Sequence, residues 1–340
     1  MECRTIVTNV KTIRRKFGQF YNNLEEKKDI FYIFFTGGLL FLLRKTLMLI
    51  PKHINLVLIG ADLSEDEILW LKKNTTSPLL ILDTYTDDRQ IWDLLYHFNR
   101  YNYGWIDIDC FVFDRGIFDE LVHIKDNTAI QGVSYKEFDY LLTTNLMFIN
   151  VKISNYIKTV SDVRPGFYYR YENDIEFTNA KKITAKQLNL LSPQTLKMLN
   201  NIRYNRFDVW ELYQGIAHNL GFSSKSIRNY DVGFSSYISH YSNDFVHLSS
   251  SSLFSTSRIR YFLEKKELGP LTKEIHPSIY ILISLFINAN DLTFYKDNLP
   301  IIEKYIFNGR KIERQAYIKY AKQFLINRNL KQEIINFLTI

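Results

Sequence analysis

The chain has 340 residues, 46% hydrophobic and 15% aromatic, which excludes a mostly disordered polypeptide. Thirteen glycines and seven prolines exclude collagen-like and linker-rich architectures, and two cysteines, Cys3 and Cys110, exclude a disulfide framework or a Cys-x-x-Cys zinc site. The net charge of +7 comes from scattered Lys and Arg without a basic block, so it suits an anionic partner such as a nucleotide, an anionic glycan or an acidic membrane surface. No nucleic-acid partner is expected.

Residues 11–16 are polar and basic, with no signal-peptide core after them. The strongest apolar run, 30–43, is broken by Gly37-Gly38 and closed by Arg44-Lys45. It falls short of the roughly 18 residues a spanning helix needs. With so few cysteines, these features point to a cytoplasmic protein, with peripheral membrane contact left open.

The first half alternates strand and helix. Residues 29–35 read as a buried strand, Thr36-Gly37-Gly38 as a turn, and 39–50 as a helix ended by Pro51. A strand at 54–59 follows, and Ser64-Glu65-Asp66-Glu67 fits a capping box opening a helix through Lys73. A short strand at 79–82, a helix at 87–100 and a strand at 105–107 complete the series. Such alternation implies a mostly parallel sheet covered on both faces. Ligands bind such sheets beyond the carboxyl ends of the strands, so the glycine turn and the end of the 105–107 strand should converge.

Further strands are expected at 129–134 and 145–151. Residues 162–184 read as an irregular loop, and 185–202 and 208–220 as helices. From Ser257 onward the pattern is almost wholly helical, with candidates at 279–287, 301–307 and 312–326. This divides the chain into a catalytic domain, 1–256, and a helical appendage, 257–340. In the appendage Arg310, Lys311, Arg314, Lys319 and Lys322 lie beside Ile312, Ala316, Tyr320 and Phe324. That pattern suits either a helix on anionic lipid or a core stripe with a solvated outer face.

The chemistry concentrates in Tyr103-Gly104-Trp105-Ile106-Asp107-Ile108-Asp109-Cys110-Phe111. Asp107 and Asp109 share a face if the strand stays regular. Two such carboxylates repel unless a proton or a cation separates them. A hard divalent cation, Mn2+ or Mg2+, is the natural partner, and this points to a phosphorylated substrate.

Asp107-x-Asp109 in its apolar setting resembles the D-x-D motif of nucleotide-sugar-dependent glycosyltransferases with the GT-A fold. The resemblance covers residues 29–151. It includes an aromatic, apolar strand leading into the motif, an apolar hairpin after it, and a later strand like Thr144-Asn145-Leu146-Met147-Phe148-Ile149-Asn150. It implies a GT-A-like α/β fold, with Asp109 on the metal and Asp107 on the ribose or a metal-bound water. It also implies transfer of a sugar from a nucleoside-diphosphate sugar to a glycan, lipid-linked or protein acceptor. Family frequency favours a uridine diphosphate (UDP) sugar, with Mn2+ or Mg2+ as the metal.

Several families of this fold place a late His on the metal, followed by a small or hydroxylated loop at the diphosphate. His247, with Ser249 and Ser250, is similar, although Gly and Lys do not follow it as they do in glycogenin-like enzymes. A packed strand histidine is the alternative. Arg258 and Arg260 could pair with phosphate or be solvated. Thr36, Gly37 and Gly38 border the nucleotide in GT-A enzymes, or simply turn the chain, and Tyr85 could stack on a base. Asp208 and Glu211 are candidate catalytic bases. The same Asp-x-x-Glu also reads as a helix cap. Asp231, Asp174 and Glu176 are lesser candidates.

Three rivals stand. A haloacid-dehalogenase-like phosphatase also uses D-x-D, but at its first strand and followed by Thr or Val. Here three strand–helix units precede the motif and Cys110-Phe111 follow. A nucleotidyltransferase would use its paired carboxylates to hold metals. A non-catalytic sugar-nucleotide-binding or interaction protein would bind without turnover.

Overall fold

In the computed structural model, residues 10–84, 86, 88–135, 141–170, 180–202, 206–230, 240–248, 251–265, 277–289, 291–306 and 313–340 are described. The first element is α1 (Val10–Asn22). Its Ile13, Phe17 and Tyr21 recur every four residues and are buried, so the basic segment is the outer face of an amphipathic helix. β1 (Ile30–Thr36) is buried along its whole length. The glycine turn leads to α2 (Leu40–Leu49), which stops at Ile50, extended as a residue before proline must be.

β2 (Leu56–Ala61) and α3 (Glu65–Asn74) follow, and the Ser64–Glu67 capping box forms as its sequence requires. Next come β3 (Leu79–Leu82), α4 (Asp88–Phe98) and β4 (Tyr103–Ile106). β5 (Cys110–Val112), α5 (Gly116–Val122), β6 (Thr128–Tyr135), β7 (Leu142–Ile149) and α6 (Val151–Ser161) complete the first half.

The second half is more broken. β8 (Tyr168–Tyr169) and β9 (Lys181–Lys182) are two-residue strands inside the region expected to be irregular. The helix expected over 185–202 is two, α7 (Ala185–Asn189) and α8 (Pro193–Ile202), because Pro193 cannot continue a helix but can start one. After β10 (Arg206–Phe207) come α9 (Glu211–Asn219), β11 (Ser223–Tyr230), β12 (His240–Tyr241) and β13 (Phe245–His247). The tail holds α10 (Thr256–Lys265), α11 (Pro277–Ile287), α12 (Asn298–Ile306), α13 (Arg314–Asn327) and α14 (Gln332–Thr339).

The central sheet has seven strands in the order β11-β6-β7-β4-β1-β2-β3. β7 alone runs against its neighbours, so the sheet is mostly parallel and the protein is α/β. One buried cluster lies on each face. β5 does not pair with β4. It leaves the sheet and joins β13, which pairs in turn with β12.

The tail helices pack into the same apolar cluster as α2, β5 and α5. The Phe337 ring lies edge-on to Phe113 at 5.5 Å and to Phe111 at 6.2 Å. The buried face of α13 is Tyr317, Ala321 and Leu325. That is one residue round the helix from the stripe read in the sequence, and Tyr320 is exposed. Arg310, Lys311 and Ile312 lie outside the described residues. Among the described residues, no helix is long and apolar enough to cross a membrane.

Candidate active site

The strand carrying the acidic pair does not stay regular. β4 stops at Ile106, and Asp107 to Cys110 form a tight turn closed by the Cys110 N–H donating to Asp107 O at 3.0 Å. The next two carbonyls are also taken. Thr46 Oγ1 donates to Ile108 O at 2.7 Å, and the Leu248 N–H donates to Asp109 O at 3.1 Å. The Asp107 N–H donates to Asn145 O on β7 at 2.8 Å. An apolar setting demands such pairing of backbone groups. The turn, not strand alternation, therefore aims the two carboxylates together.

His247 reaches them from far along the chain. It ends β13, which pairs antiparallel with β5 and sets His247 opposite Cys110. His247 Nε2 lies 3.4 Å from Asp109 Oδ1 and 3.7 Å from Asp107 Oδ2. One ligand atom from each of the three residues falls within 4.8 Å of the others. Side-chain exposure is 8% for Asp109, 13% for His247 and 31% for Asp107, so the group opens to solvent on the Asp107 side.

Burial pushes the Asp107 carboxyl up to about 7; His247 opposes the rise and Asp109 adds to it. Water at its exposed edge moderates the effect. Trp105 Nε1 donates to Asp107 Oδ1 at 2.5 Å and holds that side chain in place. The Trp105 ring stacks on Trp92 at 4.1 Å, and Trp210 meets Trp92 edge-on at 5.3 Å. Beside His247 stands His240, its ring centroid 6.1 Å away. Burial and then His247 lower His240 to about 3, so it stays neutral. Burial, with Asp107 and Asp109, raises the Cys110 thiol well above its usual value and leaves it a poor ligand.

Two carboxylates and one imidazole form a donor set that Mn2+ or Mg2+ can use, with positions left over for an oxygen-rich ligand. Without a cation or a proton, convergence of the two acids is costly.

The glycine turn is bonded to the chain that follows His247. Thr256 N–H donates to Gly37 O at 2.7 Å, so the segment after His247 runs from the Asp109 turn to the glycine turn. A Cβ on Gly37 would overlap the Asp62 carbonyl, and one on Gly38 would lie 2.5 Å from Phe254 O. Gly38 also has φ +92°. The space next to these glycines is thus occupied by protein backbone. Glu67 anchors the turn. Its Oε1 accepts from the Gly38 N–H at 2.8 Å and from Tyr295 Oη, and its Oε2 accepts from the Ser64 N–H at 2.8 Å.

Asp208 and Glu211 take the geometry of a helix start. Glu211 Oε2 accepts from the Asp208 N–H at 2.7 Å, and Asp208 Oδ1 from the Val209 N–H at 2.6 Å. Between them Trp210 adopts φ +69° and packs on Trp92. Arg260 lies 3.6 Å from Asp62 and is half exposed. Tyr85, Ser249, Ser250, Asp174, Glu176 and Asp231 lie outside the described residues.

Residues 9–154 match the StrH glycosyltransferase N-terminal domain. That stretch spans α1 to the start of α6 and contains Asp107 and Asp109. A curated relative, the dTDP-dihydrostreptose–streptidine-6-phosphate dihydrostreptosyltransferase of Streptomyces griseus, is 26% identical over 118 residues. The match covers 34% of this chain and 31% of that protein, so the chain spans about a third of the relative's length. These two likenesses make the first half glycosyltransferase-like.

Solved structures are more distant. The glycosyltransferase GlyE of Streptococcus pneumoniae TIGR4 is 12% identical with a TM-score of 0.33, covering 59% of this chain and 46% of GlyE. The inositol-1-phosphate CTP transferase of T. maritima is 8% identical with a TM-score of 0.34, covering 72% and 99%.

Trp105, Trp92, Thr46 and His240 shape the site and were not singled out from the sequence as site residues, and Glu67 was read only as part of a capping box. Trp105 had a local signal, an N–H donor two positions before an acid in a strand. Thr46 and His240 had none, because their roles depend on contacts far apart in the chain.

Proposed function

We propose that the protein is a metal-dependent glycosyltransferase that takes its sugar from a nucleoside-diphosphate sugar. The observation that carries this reading is the convergence of Asp107, Asp109 and His247, inside and beyond a glycosyltransferase-like segment. Asp109 and His247 would hold the cation directly, and Asp107 would hold it or the donor ribose. When bound, the cation supplies Lewis-acid stabilisation of the departing diphosphate.

The chain's own residues do the rest. The partnered turn at Asp107–Cys110 keeps the carboxylates from relaxing apart, and Trp105 fixes the Asp107 rotamer. The apolar shell lowers the local dielectric and strengthens each charge interaction. Thr36, Gly37 and Gly38 remain proposed nucleotide contacts, although the backbone of Asp62 and Phe254 packs against the two glycines, with Tyr85, Ser249 and Ser250 as further contacts. Asp208 and Glu211 remain the proposed bases, although both carboxylates already accept backbone N–H groups. Residues 1–256 form the catalytic unit in this reading, and 257–340 complete its core and offer a surface to the acceptor or its carrier. The S. griseus relative is named for a dTDP-sugar, so a dTDP-sugar donor stands beside UDP-sugars.

The test is a product assay with a panel of UDP- and dTDP-sugars, Mn2+ and candidate acceptors. Nucleoside diphosphate released together with sugar transfer supports the reading. Pyrophosphate released with nucleotide transfer would make the protein a nucleotidyltransferase instead.

A further inference from the structure

Thr46 carries a hydroxyl into apolar surroundings. It lies in α2 with the buried Leu40, Phe41, Leu42 and Leu43, and is itself 1% exposed. A buried hydroxyl is costly unless it is bonded. In a helix, Thr can return its hydroxyl to the carbonyl four residues back. Here Thr46 Oγ1 leaves the helix and donates to Ile108 O at 2.7 Å, between the two aspartates of the site.

The backbone around the acidic pair explains what this bond does. A peptide unit is planar, so holding one of its polar atoms holds the whole unit. The Asp107 N–H donates to Asn145 O, Asp107 O accepts from the Cys110 N–H, and Asp109 O accepts from the Leu248 N–H. The unit that joins Ile108 to Asp109 is held through Ile108 O, and its donor is Thr46. Thr46 and Leu248 thus fix the two units that flank the Asp109 Cα, and these set the direction of its side chain. The other three partners are backbone groups, so of these four Thr46 is the pin that a substitution can remove. Its own base is firm, because the Leu40 N–H donates to Tyr295 Oη at 3.1 Å and Lys45 Nζ to Phe337 O at 3.0 Å.

We infer that Thr46 is a positioning residue for the cation site, acting on Asp109 through the Ile108 carbonyl. The inference rests on the reading of Asp107, Asp109 and His247 as cation ligands. Without the hydroxyl, the Ile108 carbonyl has no donor among the described residues, and a buried carbonyl left so turns in search of one. Turning the 108–109 unit would swing the Asp109 carboxylate, now 3.4 Å from His247 Nε2. The three donors would then no longer meet around one point. Outer groups that orient metal ligands in this way are worth about 10–100-fold in metal affinity.

The experiment is calorimetric titration of Mn2+ into the full chain, with urea unfolding of every variant. Thr46→Val keeps the shape and lacks the hydroxyl, and should bind Mn2+ about tenfold or more weakly than wild type. Thr46→Ser restores the hydroxyl and should return the affinity to near wild type. Ser161→Ala removes a comparable buried hydroxyl from α6, on the other face of the sheet. It should lower stability and leave Mn2+ affinity unchanged, which is how a purely structural Thr46 would behave. Equal affinity in wild type and Thr46→Val, no recovery in Thr46→Ser, or an equal loss in Ser161→Ala overturns the inference and leaves the cation site standing. Wild type that binds no Mn2+ overturns both. If Thr46→Val fails to fold, Thr46→Cys decides, since a thiol is a weak donor. Weaker binding than in Thr46→Ser then supports the inference, and equal binding overturns it.

Discussion

Glu67 ties three distant parts of the chain to the glycine turn, and its removal has a calculable cost. The side chain is 1% exposed. It accepts from the Gly38 N–H, the Ser64 N–H and the Tyr295 hydroxyl. In Glu67→Ala the Gly38 N–H and the Tyr295 hydroxyl stay buried and lose their shared acceptor. A buried donor left without an acceptor costs about 1–3 kcal/mol. Ser64 is exposed and can turn to water, so its part is nearer the ordinary capping loss of about 1 kcal/mol. Together these predict about 3–7 kcal/mol of destabilisation. Glu67→Gln keeps one acceptor oxygen but turns an NH2 toward donors, so it should fall between wild type and alanine. Urea unfolding followed by circular dichroism gives the value from the midpoint at constant slope. A loss below about 1 kcal/mol for Glu67→Ala would refute the reasoning, because water or another acceptor would then have replaced the carboxylate.

Phe337→Ala should cost about 3 kcal/mol, since its ring packs on Phe111 and Phe113 and leaves a cavity when removed; a chain that melts unchanged refutes that packing. Trp105→Phe removes the N–H donor to Asp107 and should weaken Mn2+ binding about tenfold by calorimetry. Equal affinity would mean that the indole does not position the ligand. Mn2+ affinity should rise between pH 6 and pH 8, because burial holds the Asp107 carboxyl up to about 7 and its proton competes with the cation below that value. A flat profile contradicts this. His240 makes stability depend on pH: its folded value is depressed to about 3, so stability is complete above its unfolded value and is lost as pH falls toward 3. Its share of the slope is about 1.4 kcal/mol per pH unit near pH 5. His240→Phe should remove it from a urea-unfolding series; an unchanged slope refutes the assignment.

The parts of the fold that the sequence made legible are those with local causes. Ser64 and Glu67 announce a capping box, and that box forms. The apolar run before Gly37 becomes β1, and the helix after it stops before Pro51. β11 was not legible, because Ser223–Tyr230 carries Ser, Lys, Arg and Asn where a strand usually signals with alternating apolar residues. It is a sheet edge, held by its ladder to β6. α1 was missed because its basic outer face masked the Ile13–Phe17–Tyr21 stripe. In the site, the acidic pair stood out because two acids in an apolar segment are costly. The turn that unites them was hidden, since it depends on Thr46 and Leu248 taking the carbonyls of Ile108 and Asp109. The departure of β5 from the main sheet was hidden for the same reason, because its partner β13 lies far along the chain.

The central claim is that Asp107, Asp109 and His247 form a cation site at which a nucleoside-diphosphate sugar binds. The most direct measurement is calorimetric titration of UDP- and dTDP-sugars into wild type and Asp109→Ala, each with Mn2+ and with EDTA. The account predicts binding to wild type with Mn2+, and loss of about tenfold or more in affinity on removing either the cation or the Asp109 carboxylate, with the variant still folded by circular dichroism. Equal affinity in all four arms, or no sugar nucleotide bound by wild type with Mn2+, would contradict it.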